Sequence, residues 1–521
     1  MFRGSKLFSV VAMAGLLVAC GSNDDDGETP DAAGSTAPTP TTRGSLIVSP
    51  PTRLVSVDPT QLIDLATNAA GGADLLELLA PSCGVDVYQL QYNTVDPRDQ
   101  STTASGALMV PTGADAACQG PRPIVVYTHG TSVEKNYNIA NLDNPDNAEG
   151  LLIAVAFAAQ GYIVVAPNYS GFDTSTLSYH PYLNADQSAK DTVDALTAAR
   201  SALPTSAAPT VTDNGKLFIT GYSQGGHAAM ATQRLLEQTS AAVTASAPMS
   251  GPYALAAFGD AVFEGQVVGS APLFVTYFMT SYQRAFGTLY TAPTEVFDAR
   301  YATGIDTLLP TTGSRSELFA QNRLPRYQLF NSTPPDPSFA PYTPATSPSG
   351  LAPVFALGFG PDALLLNSYR LNYLQDAQAN PDGGFPTPTD YRPAATPTNS
   401  LRVAFKANDL RNWIAVSPTL LCAGHDDPVV LYMNTELMAA YWAANGATAP
   451  IRVLDVDGAV SLDDPDAAIK LGFNAAKAAV AAAAIAEGAT DDGYAAVAEA
   501  YHTTLVAPFC LAAVRSFFRD F

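Results

Sequence analysis

The chain has 521 residues, 47% hydrophobic and only 14% charged. That is enough to bury the core of one large α/β domain with insertions, or of two domains. A formal net charge of -22 argues against nucleic acid as a partner, because phosphates would be repelled by such a surface.

At the N-terminus, Arg3 and Lys6 precede an apolar run from Leu7 to Val18, which is too short to span a bilayer as a mature helix. It leads into Leu17-Val18-Ala19-Cys20, which resembles a bacterial lipobox. The resemblance implies that residues 1–20 are a signal peptide and that Cys20 is lipidated. Gly21 and Ser22 follow with no aspartate directly after the cysteine, a pattern similar to outer-membrane sorting. This lipid anchor is the one membrane contact expected, since no later run reads as long and apolar enough to span. Residues 21–48 are rich in Asp, Gly, Ser, Thr and Pro. They carry too little apolar surface to offset the entropy of ordering, which predicts a flexible tether.

The alternations in 85–95 and 103–111 predict an antiparallel strand pair. From 123 onward, continuous apolar strands alternate with helices. Strands are expected at 123–130, 162–169, 216–223 and 243–250, and helices at 151–161, 185–203 and 224–238. This pattern predicts a parallel sheet covered on both faces. It lapses for about 150 residues, which are rich in aromatics (273–290) and prolines (332–350), and returns with a strand from 417, a helix near 433–445 and a strand at 451–457. The expected division is therefore a core of 49–252 and 401–521, with a cap of 253–400 inserted between two strands. An alanine-rich helical piece, 465–500, precedes a C-terminal helix.

Five cysteines are present. With Cys20 lipidated, Cys83, Cys118, Cys422 and Cys510 remain, an even number that suggests two disulfides in an exported chain. Proximity favours Cys83 with Cys118, leaving Cys422 with Cys510. No CxxC motif or Cys/His cluster has zinc spacing, and no metal ligands are expected.

Gly221-Tyr222-Ser223-Gln224-Gly225 lies where an apolar strand runs into a helical pattern. Glycines flanking a serine at such a join suit a tight strand-to-helix turn that presents the hydroxyl. A serine needs a base, and only five histidines exist. His129 ends the 123–128 strand and reads as a brace for the following loop. His180 lies in a loop, His227 one helical turn beyond Ser223, and His425 beside the candidate acids. His502 alone follows every acid in the order Ser, Asp, His. Asp426 and Asp427 compete as the acid. Two backbone amides are needed for a tetrahedral oxyanion. Gln224 supplies one, and Thr131, with Gly130 as alternative, the other.

These residues resemble the α/β-hydrolase superfamily, and more narrowly the bacterial and fungal secretory-lipase-like esterases. The resemblance rests on YTHG (127–130), on 166–200 with its His-Pro-Tyr, on GYSQGGHAA (221–229) and on GHDDPVV (424–430). The last resembles the hydrolase pattern G-x-x-D-x-x-V, which selects Asp427. Asn168 departs from the family, whose members often carry Asp there. The resemblance implies carboxylic ester hydrolysis through acyl-Ser223 with no metal or organic cofactor, and the surface tether extends the expected substrates to lipid or polymer esters too large to import, polyesters included. A serine peptidase on the same fold, or a non-catalytic surface scaffold, are the alternatives. The sequence points to no oligomeric state.

Overall fold

The computed structural model describes residues 42–144, 148–203, 211–461 and 463–521. The expected signal peptide, Cys20 and the tether as far as residue 41 lie outside them. Nine strands form one sheet: β1 (Thr52–Val57), β2 (Gly84–Val95), β3 (Ser101–Thr112), β4 (Gly120–Thr128), β5 (Ile163–Pro167), β6 (Val211–Tyr222), β7 (Ala245–Met249), β8 (Thr419–Ala423) and β9 (Ile451–Asp455). Their order is 1-2-3-5-4-6-7-8-9. The first three are antiparallel to one another, and β3 meets β5 antiparallel. Every later pairing is parallel. Residues of β5, β7 and β8 are buried throughout, because helices cover both faces and leave no side of these strands for polar residues.

β1 was not expected from the sequence. It is an edge strand, mostly exposed, so it lacks the apolar alternation that would reveal it. The end of the presumed tether is also paired: Leu46 bridges Tyr92, and the amides of Gly44 and Ile47 donate to β2 carbonyls at 2.8 Å.

The chain leaves the sheet after β7 and returns at β8. Helices Leu255–Phe263, Ala271–Phe286, Asn367–Ala379 and Ser400–Asn408 lie between. Buried arginines tie this insertion together. Arg402 pairs with Asp260 and Asp376 at 2.8 Å each, and Arg411 with Asp382 at 2.8 Å and Asp409 at 2.9 Å. Such pairs add little net stability, but removing one partner leaves a buried charge uncompensated, which disfavours other packings.

One expectation needs correction. Ala467–Ala486 and Tyr494–Phe518 are each long and apolar enough to cross a membrane by length and composition. The second is mostly buried in the protein, whereas the first buries only Phe473 fully. Alanine gives the first helix its apolar character while adding little bulk to pack against the protein.

Candidate active site

β6 ends at Tyr222, and the helix Gln224–Gln238 starts two residues later. Ser223, between them, has φ 60° and ψ -121°, a conformation costing an L-residue about 1–3 kcal/mol. The flanking glycines make it attainable. A Cβ on Gly225 would lie 1.8 Å from the Thr128 carbonyl oxygen, and one on Gly221 2.1 Å from Thr128 Oγ1. Only bare backbone lets the end of β4 press against the turn. The Ser223 amide donates to the Met249 carbonyl at 3.0 Å, fixing the turn to β7.

Ser223 Oγ lies 2.8 Å from His502 Nε2, and His502 Nδ1 lies 2.6 Å from Asp427 Oδ2. A carboxylate only accepts, so Nδ1 donates to it, and Nε2 of the neutral ring is left to accept from the serine. Asp427 is fully buried. Its other oxygen accepts the amides of Val429 and Val430 at 2.9 and 3.0 Å. Asp426 instead faces solvent, 3.7 Å from His425. The structure thus brings residues 223, 427 and 502 together and leaves Asp426 outside.

His502 sits in a π-type turn, Tyr501–Leu505, between the helices Tyr494–Ala500 and Val506–Phe518. Distant residues hold the turn. The Tyr222 hydroxyl donates to the His502 carbonyl at 2.6 Å. The Tyr501 hydroxyl donates to Asp457 at 2.8 Å and accepts the Asp426 amide at 3.1 Å. The disulfide Cys422–Cys510 joins β8 to the helix after His502, and Cys83–Cys118 joins the start of β2 to the approach of β4.

The oxyanion candidates separate. The Gly130 amide donates to Glu149, 2.9 Å from Oε1 and 3.2 Å from Oε2. The amides of Thr131 and Gln224 have no protein acceptor among the described residues. Thr131 Oγ1 meets the Tyr182 hydroxyl at 2.9 Å.

The remaining histidines are structural in their contacts. His129 Nδ1 lies 2.6 Å from the Gly130 carbonyl and Nε2 3.3 Å from the Asn168 carbonyl. Burial pushes its pKa down to about 4, so one nitrogen carries the single proton, and the shorter contact assigns it to Nδ1, donating to Gly130. His180 is buried, with its pKa pushed down to about 3 by that burial. Its Nδ1 donates to the Ser170 carbonyl at 3.0 Å, so Nε2 accepts from the Gln224 side-chain amide at 2.6 Å. His227 Nε2 bonds the Asn408 carbonyl at 2.9 Å. His425 pairs with Asp455 at 2.8 Å. Asn168 accepts the Ile139 amide at 2.8 Å and donates to Ser105 Oγ at 2.9 Å. Sequence reasoning missed Glu149, Tyr222 and the link from His180 to Gln224. For His180 a signal existed in the His-Pro-Tyr stretch, and for Tyr222 in its place beside the serine. Glu149 had none.

A narrow apolar cavity of about 60 Å³ opens at Ser223 and Gln224. Leu255, Phe258, Val262, Phe274 and Phe278 from the insertion supply much of its wall. Tyr277 and Tyr282, on the same helix as Phe274, are buried in the core. The aromatic stretch thus lines the cavity with one face and fills the core with another. His425, Asp426 and Asp457 carry possible metal-ligand atoms within 4.8 Å of one another. Lys477 and Tyr501 already bond Asp457, and Asp455 bonds His425.

A model of the prolyl oligopeptidase family matches residues 152–271, a stretch holding Ser223 but neither Asp427 nor His502. No curated protein matches the chain. Among solved structures it is similar to the rice cell wall degrading esterase LipA from Xanthomonas oryzae. The identity is 24%, over 92% of this chain and 99% of that one, with a TM-score of 0.65. A ligand-bound form of LipA gives 23% identity and the same TM-score, with the same coverage of each chain. A Legionella pneumophila protein is 19% identical over 90% of this chain and 96% of its own, with a TM-score of 0.60. The mostly parallel sheet and these likenesses define the α/β-hydrolase fold.

Proposed function

We propose that this protein is a serine hydrolase of carboxylic esters with apolar acyl groups, working through an acyl-Ser223 intermediate. The observation that carries the reading is the hydrogen-bonded series Ser223–His502–Asp427 at the mouth of an apolar cavity. Ser223 Oγ attacks the ester carbonyl carbon as His502 Nε2 takes its proton. Asp427 keeps the proton of His502 on Nδ1 and stabilises the imidazolium without accepting that proton. The amides of Gln224 and Thr131 receive the tetrahedral oxyanion, and loss of such a donor costs about 10²–10³ in rate. His502 returns its proton to the leaving alcohol. Water then attacks the acyl-serine by the same route, releasing the acid and free Ser223. The acyl chain lies among Leu255, Phe258 and Phe278.

Export is part of the proposal. It rests on the signal-like N-terminus ending at Cys20, and on two disulfides, which persist in oxidising compartments. A lipid-anchored enzyme at the outer membrane would meet lipid or polymer esters, polyesters among them. The fold likeness to a rice cell wall degrading esterase agrees with a large external substrate.

The family match favours a second reading, a serine peptidase. Against it, no acidic side chain among the described residues lining the cavity is placed to bind a substrate amine. p-Nitrophenyl esters of increasing chain length, a polyester film and aminoacyl anilides separate the two. Ester turnover is expected, and Ser223→Ala should lower kcat at least ~10³-fold without unfolding the protein. Preference for anilides would favour the peptidase. Activity of the folded protein on none of these would favour a scaffold, and near-full activity in Ser223→Ala would remove the serine from the mechanism.

A further inference from the structure

Glu149 is an enclosed carboxyl group that the ester mechanism leaves unused. It is the first residue of the helix Glu149–Ala156, 74 positions before Ser223 by the numbering. Part of the residue reaches solvent, but its carboxyl end is enclosed. Oε1 accepts the Tyr127 hydroxyl at 2.7 Å and the Gly130 amide at 2.9 Å. Burial pushes its pKa up to about 7, against the opposing pull of those two donors and of nearby His502. Among the described residues, the hydroxyls of Tyr137, Tyr169 and Tyr222 also lie close enough to feel its charge.

The two bonds to Gly130 define what this carboxyl does. Glu149 holds the Gly130 amide, and His129 Nδ1 holds the Gly130 carbonyl. That carbonyl belongs to the same planar peptide unit as the Thr131 amide. In a trans unit the two point in opposite directions, so fixing the carbonyl fixes the Thr131 N–H. A glycine held at one side only would keep the freedom to rotate this unit. Gly130 also lies against the serine turn, where an added Cβ would stand 3.4 Å from the Tyr222 carbonyl oxygen.

We propose that Glu149 is a positioning residue of the oxyanion site: with His129 it clamps Gly130 from both sides and so aims the Thr131 amide. The proposal rests on the ester reading given above.

The test uses full-length protein and two readouts, p-nitrophenyl ester kinetics and the rate of covalent reaction of Ser223 with a fluorophosphonate. The P=O group of that probe needs the same donors, yet the probe is indifferent to the natural substrate. Glu149→Ala, or Glu149→Leu if the first does not fold, should lower kcat about 10- to 100-fold with KM within about 2-fold. Fluorophosphonate labelling should slow in parallel. Glu149→Gln keeps an acceptor for Gly130 and should stay within about 3-fold of wild type. Unchanged kcat and labelling in folded Ala or Leu variants would overturn the proposal. So would a loss in the Gln variant as large as theirs, since the clamp survives there. If wild type labels but turns over no ester, the ester reading fails, and the labelling rates still decide the role of Glu149. If Ser223→Ala abolishes turnover while the Ala and Leu variants match wild type in both readouts, the positioning role fails alone. A wild type that neither labels nor turns over overturns both.

Discussion

Ser223 and His502 both project from distorted backbone beside a helix, but different forces hold the two distortions. The serine turn is local. Its positive φ is imposed within five residues, where glycines let β4 and β7 close on the turn. The histidine turn is non-local. Nothing within Tyr501–Leu505 demands a π-type turn; Tyr222, Asp427, Asp457 and the Cys422–Cys510 bridge hold it there. A nucleophile can therefore be carried by a short motif, whereas its base depends on contacts closed only by the complete fold.

The largest break in this arrangement is at the acid. Asp427→Asn keeps the shape of the side chain but lets an amide face His502 Nδ1, favouring the wrong tautomer. A fall in kcat of about 10⁴ is expected. Asp426→Asn should stay within about 3-fold of wild type, because its exposed carboxylate faces His425 and solvent while His502 bonds Asp427. Comparable losses in the two variants would show that the acid loop acts as a whole rather than through one carboxylate.

Next in size is the bridge. Replacing Cys422 and Cys510 by serine should cost about 2–4 kcal/mol of stability, read as a lower Tm or a lower denaturant midpoint. Activity should be lost at temperatures where the remainder is still folded, because the bridge joins the strand before Asp427 to the helix after His502. The Cys83 and Cys118 double serine variant should lose stability while keeping kcat, since that bridge joins β2 to the approach of β4. Equal kcat losses in both pairs would remove the distinction between them.

A third test reads stability against pH at Glu149. Its native pKa of about 7 stands above the ordinary 4.5, so the native state holds the proton longer than the unfolded chain. The stability this protonated form contributes is fully present below about pH 4.5 and is lost as pH rises to about 7. Glu149→Gln has no such dependence. The Tm of the Gln variant relative to wild type should therefore climb across that window and level off above it, by the equivalent of about 1–3 kcal/mol. A difference that is flat with pH would place the carboxyl in a more polar setting than its contacts indicate.

The same local and non-local division explains what could be read from the sequence. The alternating core and the serine turn follow from patterns spanning a few residues, with side-chain burial and glycine spacing as their physical basis. The cysteine pairs, 35 and 88 residues apart, were read instead from an even count and elimination. Asp427 is separated from Asp426 by the resemblance of GHDDPVV to the hydrolase pattern G-x-x-D-x-x-V, and in the structure its carboxylate accepts the amides of Val429 and Val430. His502 was reached by elimination among five histidines, not from any feature of its own surroundings. Glu149 was invisible, because a glutamate at the start of a helix is ordinary until β4 brings Tyr127 and Gly130 beside it. Edge strand β1 and the segment around Leu46 were missed because backbone pairing, rather than apolar side chains, holds them.

The smallest expected effect lies at the residue that joins the two turns. Tyr222 directly precedes Ser223, and its hydroxyl donates to the backbone carbonyl of His502. Tyr222→Phe keeps the ring, which packs 5.0 Å from the imidazole, and removes only the donor. The carbonyl left behind is buried, so about 1 kcal/mol of stability should be lost. If that bond also sets the height of the histidine over the serine, kcat should fall several-fold with KM unchanged, and fluorophosphonate labelling should slow to match. A change in Tm with no change in kcat would instead mean that Asp427 and the disulfide suffice to seat the base. Tyr222 would then contribute to holding the histidine turn in place and not to its register over the serine.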